Sequence, residues 1–139
     1  MNTYSMGEIE EGKTSADFEV VVTETMLETF EQISGDSNPL HTDVEYAKSQ
    51  GMKDKVVYGM LISSFYSRLV GMYLPGKYCL LQEIKTNFHA PVYVGDNLRI
   101  TGVVKQKKEL FHRVEIDARI LNQDNVKVSS AKIIVGVLK

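Results

Sequence analysis

The segment at residues 59–73 constrains the fold more than any other part of the chain. Its apolar residues lie nearly all round a helix, and a helix of that kind must be wrapped by other structure. Serines and Arg68 interrupt the segment, which favours a buried helix over a membrane span. Pro75-Gly76 stops the helix. The apolar members are Met60, Leu61, Ile62, Phe65, Tyr66, Leu69, Val70, Met72 and Tyr73.

The C-terminal half supplies strands that can do the wrapping. Residues 113–120 alternate between apolar and charged side chains, which predicts a sheet with one buried and one wet face. Further strands are predicted at residues 17–22, 79–88, 98–104 and 126–137, with turns at 106–109 and 122–125. These elements predict an α+β fold in a single domain, residues 1–139, in which a curved antiparallel sheet of about five strands surrounds the central helix.

Short helices are predicted before the central one. Thr23 can cap a helix that Gly35 ends, and a rigid loop containing Pro39 follows. The capping-box pattern at residues 42–45 then begins another short helix, which Gly51 closes.

Composition narrows the class of protein. The 139 residues carry 16 basic and 18 acidic side chains and a formal net charge of -2, so neither a nucleic acid nor an anionic membrane is the expected partner. The single cysteine, Cys79, excludes an intramolecular disulfide and a metal site with two Cys ligands from one chain. Together with a polar N-terminus that lacks a signal-peptide core, it leads us to expect a reducing cytoplasm.

Asp36 and His41 lie five residues apart on the loop that precedes the second short helix. A carboxylate and an imidazole held close together can share one water molecule and exchange protons with it. The same residues also suit a simple turn with a surface histidine, and on spacing alone both interpretations stay open. Gly59 begins the apolar helix, where its amide N–H can hold a carbonyl oxygen or merely permit tight packing. Ser67 can donate a hydrogen bond in a site or bond back to its own helix.

Taken together, these segments resemble the hydratase signature of MaoC-like proteins, the family of (R)-specific enoyl-CoA hydratases and acyl dehydratases with a hot-dog fold. The resemblance rests on residues 34–43 (SGDSNPLHTD), on Gly59-Met60-Leu61 and on residues 88–96 (FHAPVYVGD). It extends over about residues 15–137.

The resemblance implies roles for the candidate residues. Asp36 and His41 bind and activate water as the catalytic pair, and the Gly59 N–H polarises the thioester carbonyl. Ser67 and Asn38 support the site. The implied reaction is the reversible addition of water to trans-2-enoyl-CoA, which gives (R)-3-hydroxyacyl-CoA in fatty acid or polyhydroxyalkanoate metabolism. No cofactor and no metal are implied, and two subunits are expected to pair into a homodimer with a continuous sheet.

One position departs from the family pattern, because Tyr58 stands where His usually precedes Gly-Met-Leu. Tyrosine keeps a ring and a hydrogen-bonding group but loses imidazole chemistry, so we expect it to alter the pocket. Two alternative functions remain open at this point: a hot-dog acyl-CoA thioesterase, and a non-catalytic module that binds acyl thioesters. The sequence also leaves open whether coenzyme A or an acyl carrier protein bears the acyl group.

Overall fold

The computed structural model describes all 139 residues and contains one antiparallel sheet in the strand order β1-β3-β4-β5-β2. The expected α+β architecture is confirmed, since this five-stranded sheet packs against a central helix, α4. The strands are β1 (Ser15–Val21), β2 (Cys79–Phe88), β3 (Asn97–Lys108), β4 (Arg113–Leu121) and β5 (Lys127–Val137). The helices are α1 (Glu24–Ser34), α2 (Pro39–Thr42), α3 (Val44–Ser49) and α4 (Gly59–Met72), and two short 3-10 helices span Met6–Glu8 and Glu109–Phe111.

One hydrophobic core joins α4 to the inner face of the sheet. The alternation predicted in β4 is confirmed, because Ile116 and Ile120 are fully buried while Arg113 and Arg119 are exposed. A Cβ atom at Gly102 of β3 would lie 2.7 Å from the Leu69 side chain of α4. Glycine is therefore needed there for the helix to approach the sheet so closely.

The single chain does not wrap α4 completely. Met60, Ser64, Ser67 and Met72 of this helix are exposed, although the apolar pattern predicts cover on most sides. The sheet covers only the side that carries Leu69 and its buried neighbours. This leaves a solvent-facing stripe along the helix.

Three local predictions need correction. Pro39 occupies the first turn of a four-residue helix, so α2 forms inside the predicted loop. The N-cap of α3 is Asp43 rather than Thr42, since the Asp43 carboxylate accepts the N–H of Tyr46. β3 and β4 stay paired as far as Lys108 and Arg113, so the chain reverses at residues 109–112 instead of 106–109.

No helix combines the length and the apolar character required to cross a membrane.

Candidate active site

The loop after α1 holds Asp36 through short-range hydrogen bonds. Gly35 adopts the left-handed conformation (φ 72°) that ends α1, and its N–H donates to the Glu31 carbonyl at 2.8 Å. The Asp36 N–H donates to Ser34 Oγ at 3.1 Å, and Asp36 Oδ1 accepts the Asn38 N–H at 3.0 Å. This turn uses one carboxylate oxygen and leaves the other, on an exposed residue, available to water.

His41 lies on α2, and two contacts fix it. Asn38 caps this helix by accepting the Leu40 N–H at 2.9 Å. The His41 Nδ1 lies 2.6 Å from the Val56 carbonyl oxygen. Because a carbonyl oxygen only accepts, we assign the proton of this hydrogen bond to Nδ1. The remaining ring nitrogen, Nε2, is then the one available for chemistry.

Gly59 opens α4 with an amide N–H that no acceptor within the chain engages. The first amides of a helix have no intrahelical partner and lie at the positive end of its dipole. A Cβ atom at this position would come within 3.2 Å of the Phe88 ring. The absence of a side chain therefore lets the start of α4 lie against the aromatic ring of β2.

A cavity of about 420 Å³ opens at this point and brings His41 and Gly59 to one wall. Ile62, Phe88 and Val92 add apolar lining. An apolar pocket with a few converging polar groups is the usual form of a small-molecule site. A cavity of equal volume lies on the outer face of the sheet, over β1, β3 and β4, but it contains neither a histidine nor a free helix N-terminus. We therefore place the candidate active site at His41 and Gly59.

Tyr58 connects Asp36 to His41. Its hydroxyl donates to the Asp36 carbonyl oxygen at 2.6 Å, and its ring stacks on the imidazole with centroids 4.1 Å apart. Burial raises the pKa of Tyr58 above its ordinary value, and the nearby Glu31 and Asp36 carboxylates raise it further. The phenol is therefore a neutral hydrogen-bond donor at physiological pH.

Contacts connect five of the six predicted site residues: Asp36, Asn38, His41 and Tyr58 are linked to one another, and Gly59 follows Tyr58 in the chain. Of these five, only His41 and Gly59 line the cavity. The sixth, Ser67, is exposed about two turns further along α4 and does not line the cavity. Its supporting role stays a prediction.

Sequence reasoning missed three participants in this site. The Val56 carbonyl accepts from His41, the Phe88 ring lies against Gly59, and the Phe30 ring packs against Tyr58 at 4.8 Å between centroids. A backbone acceptor such as Val56 carries no sequence signal. Phe30 belongs to the predicted apolar face of α1, and Phe88 begins the motif at residues 88–96, so both offered a weak signal.

Comparison with known proteins gives a consistent picture. Residues 7–126 match the family model described as a MaoC like domain. An (R)-specific enoyl-CoA hydratase of Rhodospirillum rubrum is 33% identical over 110 residues, which cover 76% of each chain. A mitochondrial 3-hydroxyacyl-[acyl-carrier-protein] dehydratase of Arabidopsis thaliana is 37% identical over 79 residues, 57% of this chain. That match spans only 45% of the plant protein's length.

A solved structure shares the fold. The (R)-hydratase of A. caviae involved in PHA biosynthesis superposes with a TM-score of 0.88 at 28% sequence identity. The superposition covers 93% of this chain and 97% of the other. The likeness thus extends over nearly the whole of both molecules.

Proposed function

The chain belongs to the MaoC-like domain family, and from that premise we propose that it is a hydro-lyase acting on acyl thioesters. The proposed reaction adds water to a trans-2-enoyl-CoA to give the (R)-3-hydroxyacyl-CoA, and its reverse is the dehydration of that product. Relatives whose names describe (R)-specific enoyl-CoA hydratases and 3-hydroxyacyl-[acyl-carrier-protein] dehydratases support this choice.

One observation carries the proposal: a histidine with a free Nε2 and a helix N-terminus with a free N–H share one cavity. The loop bearing the Asp36 carboxylate is attached to that histidine through Tyr58. Addition of water to an enoyl thioester needs these parts: groups that move protons and a donor for the thioester oxygen.

We assign the proton steps to the Asp36 carboxylate and the His41 imidazole. Asp36 accepts a proton from water while the water oxygen bonds to the β-carbon of the substrate. The double-bond electrons move toward the α-carbon and the thioester oxygen. His41 enters this step as the imidazolium, with a proton on each ring nitrogen, and it delivers the Nε2 proton to the α-carbon while the Nδ1 proton stays hydrogen-bonded to the Val56 carbonyl. The proton on Asp36 returns to His41 through solvent, which restores the pair. The Nδ1 contact with Val56 keeps the ring in one orientation during these transfers.

Gly59 stabilises the negative charge that develops on the thioester oxygen. Its amide N–H is oriented by the helix and needs no rearrangement to donate. Loss of one such donor in other enzymes costs roughly 10²–10³-fold in kcat. The same N–H supports the alternative function, hydrolysis of the thioester, so it does not distinguish the two reactions.

A direct assay distinguishes them. The purified chain is incubated with crotonyl-CoA, and both the enoyl absorbance and the release of free thiol are followed. We expect loss of the enoyl absorbance without thiol, and chiral analysis of the product should give the (R) isomer. Thiol release without hydration would establish the thioesterase instead, and binding without either change would establish a non-catalytic module.

A second assay addresses the carrier. Crotonyl-CoA and the crotonyl ester of an acyl carrier protein are compared at several concentrations, and the comparison is repeated with longer acyl chains. We expect a higher kcat/KM with coenzyme A, as the name of the Rhodospirillum rubrum relative suggests. The opposite ratio would assign the chain to the carrier-protein dehydratases.

A second copy of the chain completes the proposed enzyme. β2 lies at one end of the sheet with a free edge, and its Leu80, Leu81 and Ile84 side chains are exposed. Exposed edges of this kind pair readily with another strand. The stripe along α4 is exposed as well, and a partner would cover it.

A matched pair of substitutions tests whether the free edge of β2 forms the dimer interface. Ile84→Asp on β2 should convert a dimer into monomers, as measured by light scattering after gel filtration. Val21→Asp makes the same apolar-to-acidic change on β1, at the opposite end of the sheet, and should leave the dimer intact. A wild-type monomer with full activity would contradict the proposed assembly.

A further inference from the structure

Tyr58 contacts both the Asp36 loop and the His41 ring. It precedes Gly59 at the head of α4 and is only 2% exposed. A buried tyrosine usually finds a partner for its hydroxyl. Here the partner is the Asp36 carbonyl oxygen, 22 residues earlier in the chain, at 2.6 Å.

The ring of Tyr58 makes a second contact with the candidate machinery. It stacks on His41 with an interplanar angle of 28°, and it packs against Phe30 of α1 with an angle of 45°. Offset stacking restricts the rotation of both rings. His41 is therefore restrained twice, by the Val56 carbonyl at Nδ1 and by the Tyr58 ring on its face.

We propose that Tyr58 is a positioning residue, which holds the Asp36 loop and the His41 imidazole in one fixed arrangement for the addition of water. This inference rests on the proposed hydratase function. The hydroxyl sets the position of the Asp36 backbone, and the ring sets the plane of the imidazole. One side chain thus couples two groups that lie on different elements.

A positioning role differs from proton transfer by Tyr58 itself. The hydroxyl proton is already directed at the Asp36 carbonyl, which cannot accept it as a base would. Tyr58 is also absent from the wall of the cavity. The raised pKa keeps the phenol neutral, so that it remains a donor throughout the physiological range.

The test compares two buried tyrosines of the same region. Tyr58→Phe keeps the ring and deletes the hydroxyl bond to Asp36. Tyr66→Phe is the matched control, because the Tyr66 hydroxyl donates to Ser129 Oγ at 2.9 Å in the core and forms no hydrogen bond with Asp36 or His41. Both variants lose one buried hydrogen bond, so a general effect on the fold would appear in both.

We expect Tyr58→Phe to lower kcat for crotonyl-CoA by roughly 10- to 100-fold, since small misplacements of catalytic groups have effects of that size. KM should change much less, and Tyr66→Phe should keep the wild-type kcat. The pH profile of kcat should keep its shape and only fall in height. Loss of the alkaline limb in Tyr58→Phe would identify Tyr58 as a proton donor and overturn the proposal, as would an equal fall in kcat for both variants.

A second measurement is independent of activity. The Asn38 N–H, which Asp36 Oδ1 accepts, should exchange with solvent faster in Tyr58→Phe than in the wild type, and Tyr66→Phe should show no such change. Unchanged exchange at Asn38 would overturn the positioning role even if the wild type were inactive. Inactivity of the wild type would by itself contradict only the proposed function.

Discussion

The loop at residues 34–41 and the interior around Leu69 are stabilised in different ways. Side chains of the loop form hydrogen bonds with backbone groups two positions away, and most of these side chains are exposed. The interior depends on apolar contacts between distant residues, such as Leu69 of α4 and Ile116 of β4, both fully buried. Substitutions in the loop should therefore change activity, and substitutions in the interior should change stability. Tyr58 contacts both regions.

The largest effect is expected from Asp36→Asn. The amide can still accept the Asn38 N–H, so the turn is kept, but the side chain can no longer take a proton from water. Hydration of crotonyl-CoA should fall by about 10²–10⁴-fold, the usual contribution of a general acid or base. Thermal stability should be unchanged, because the residue is exposed.

Asp43→Asn provides the control for that prediction. Asp43 is another exposed carboxylate of this region, and it caps α3 by accepting the Tyr46 N–H. Its loss of charge should leave kcat near the wild-type value. Comparable losses in both variants would show that the overall charge of the segment matters rather than Asp36.

Substitutions in the interior are expected to lower stability instead of activity. Leu69→Ala should lower the free energy of unfolding by roughly 2–5 kcal/mol, because it leaves a cavity in the core. Gly102→Ala should lower it by about 1–3 kcal/mol, because the new methyl group would lie only 2.7 Å from the Leu69 side chain. The double variant should lose less than the sum, since the methyl group occupies space that Leu69 vacates. Urea denaturation measures the free energy of unfolding of both single variants and of the double variant. If the two losses simply add in the double variant, Gly102 is not packed against Leu69.

Sequence reasoning was most successful where a pattern repeats. The apolar run at residues 59–73 and the alternation in β4 identify the helix and the face of the sheet, because burial of one face imposes a period on the chain. Asp36, Asn38 and His41 were found through a compact motif. Contacts between separate elements, such as His41 with Val56 and Tyr58 with Phe30, depend on how the elements pack, so no local pattern reports them.

Element boundaries failed for a different physical reason. Thr42 and Asp43 are adjacent, and each offers an oxygen that can cap a helix, so composition alone does not choose between them. The hydroxyl of Thr42, the last residue of α2, instead donates to the carbonyl of Asn38, which precedes that helix. The polar run at residues 106–109 was interpreted as a turn, but backbone pairing of Lys107 with Val114 continues the hairpin into it.

Alkaline pH should affect the interior more than the loop. Burial raises the pKa of Tyr66 to about 12, whereas the phenol of the unfolded chain ionises near its ordinary value of about 10. The folded state then holds a proton that the unfolded state releases, so this contribution to stability is complete below about pH 10 and is lost between about pH 10 and 12. The slope from this one group is at most ~1.4 kcal/mol per pH unit.

Urea denaturation of the wild type and Tyr66→Phe at a series of pH values measures that contribution. The wild type should lose stability more steeply than the variant above about pH 10. Parallel curves would show that the Tyr66 hydroxyl is more accessible to water than its position against Ser129 implies.

Asn38→Ala is expected to have only a small effect on both stability and activity, and it tests whether the two regions are truly separate. The substitution removes the cap of α2, which should cost about 1 kcal/mol of unfolding free energy. It keeps the backbone N–H that Asp36 accepts, so the Asp36 turn can survive while the start of the helix bearing His41 is loosened. If His41 depends mainly on Val56 and Tyr58 for its orientation, kcat should fall only a few-fold, well short of the ~10²-fold effect of a misplaced catalytic group. A fall in kcat as large as that of Asp36→Asn would mean instead that the local cap, and not the contacts made across the fold, determines the geometry of the site.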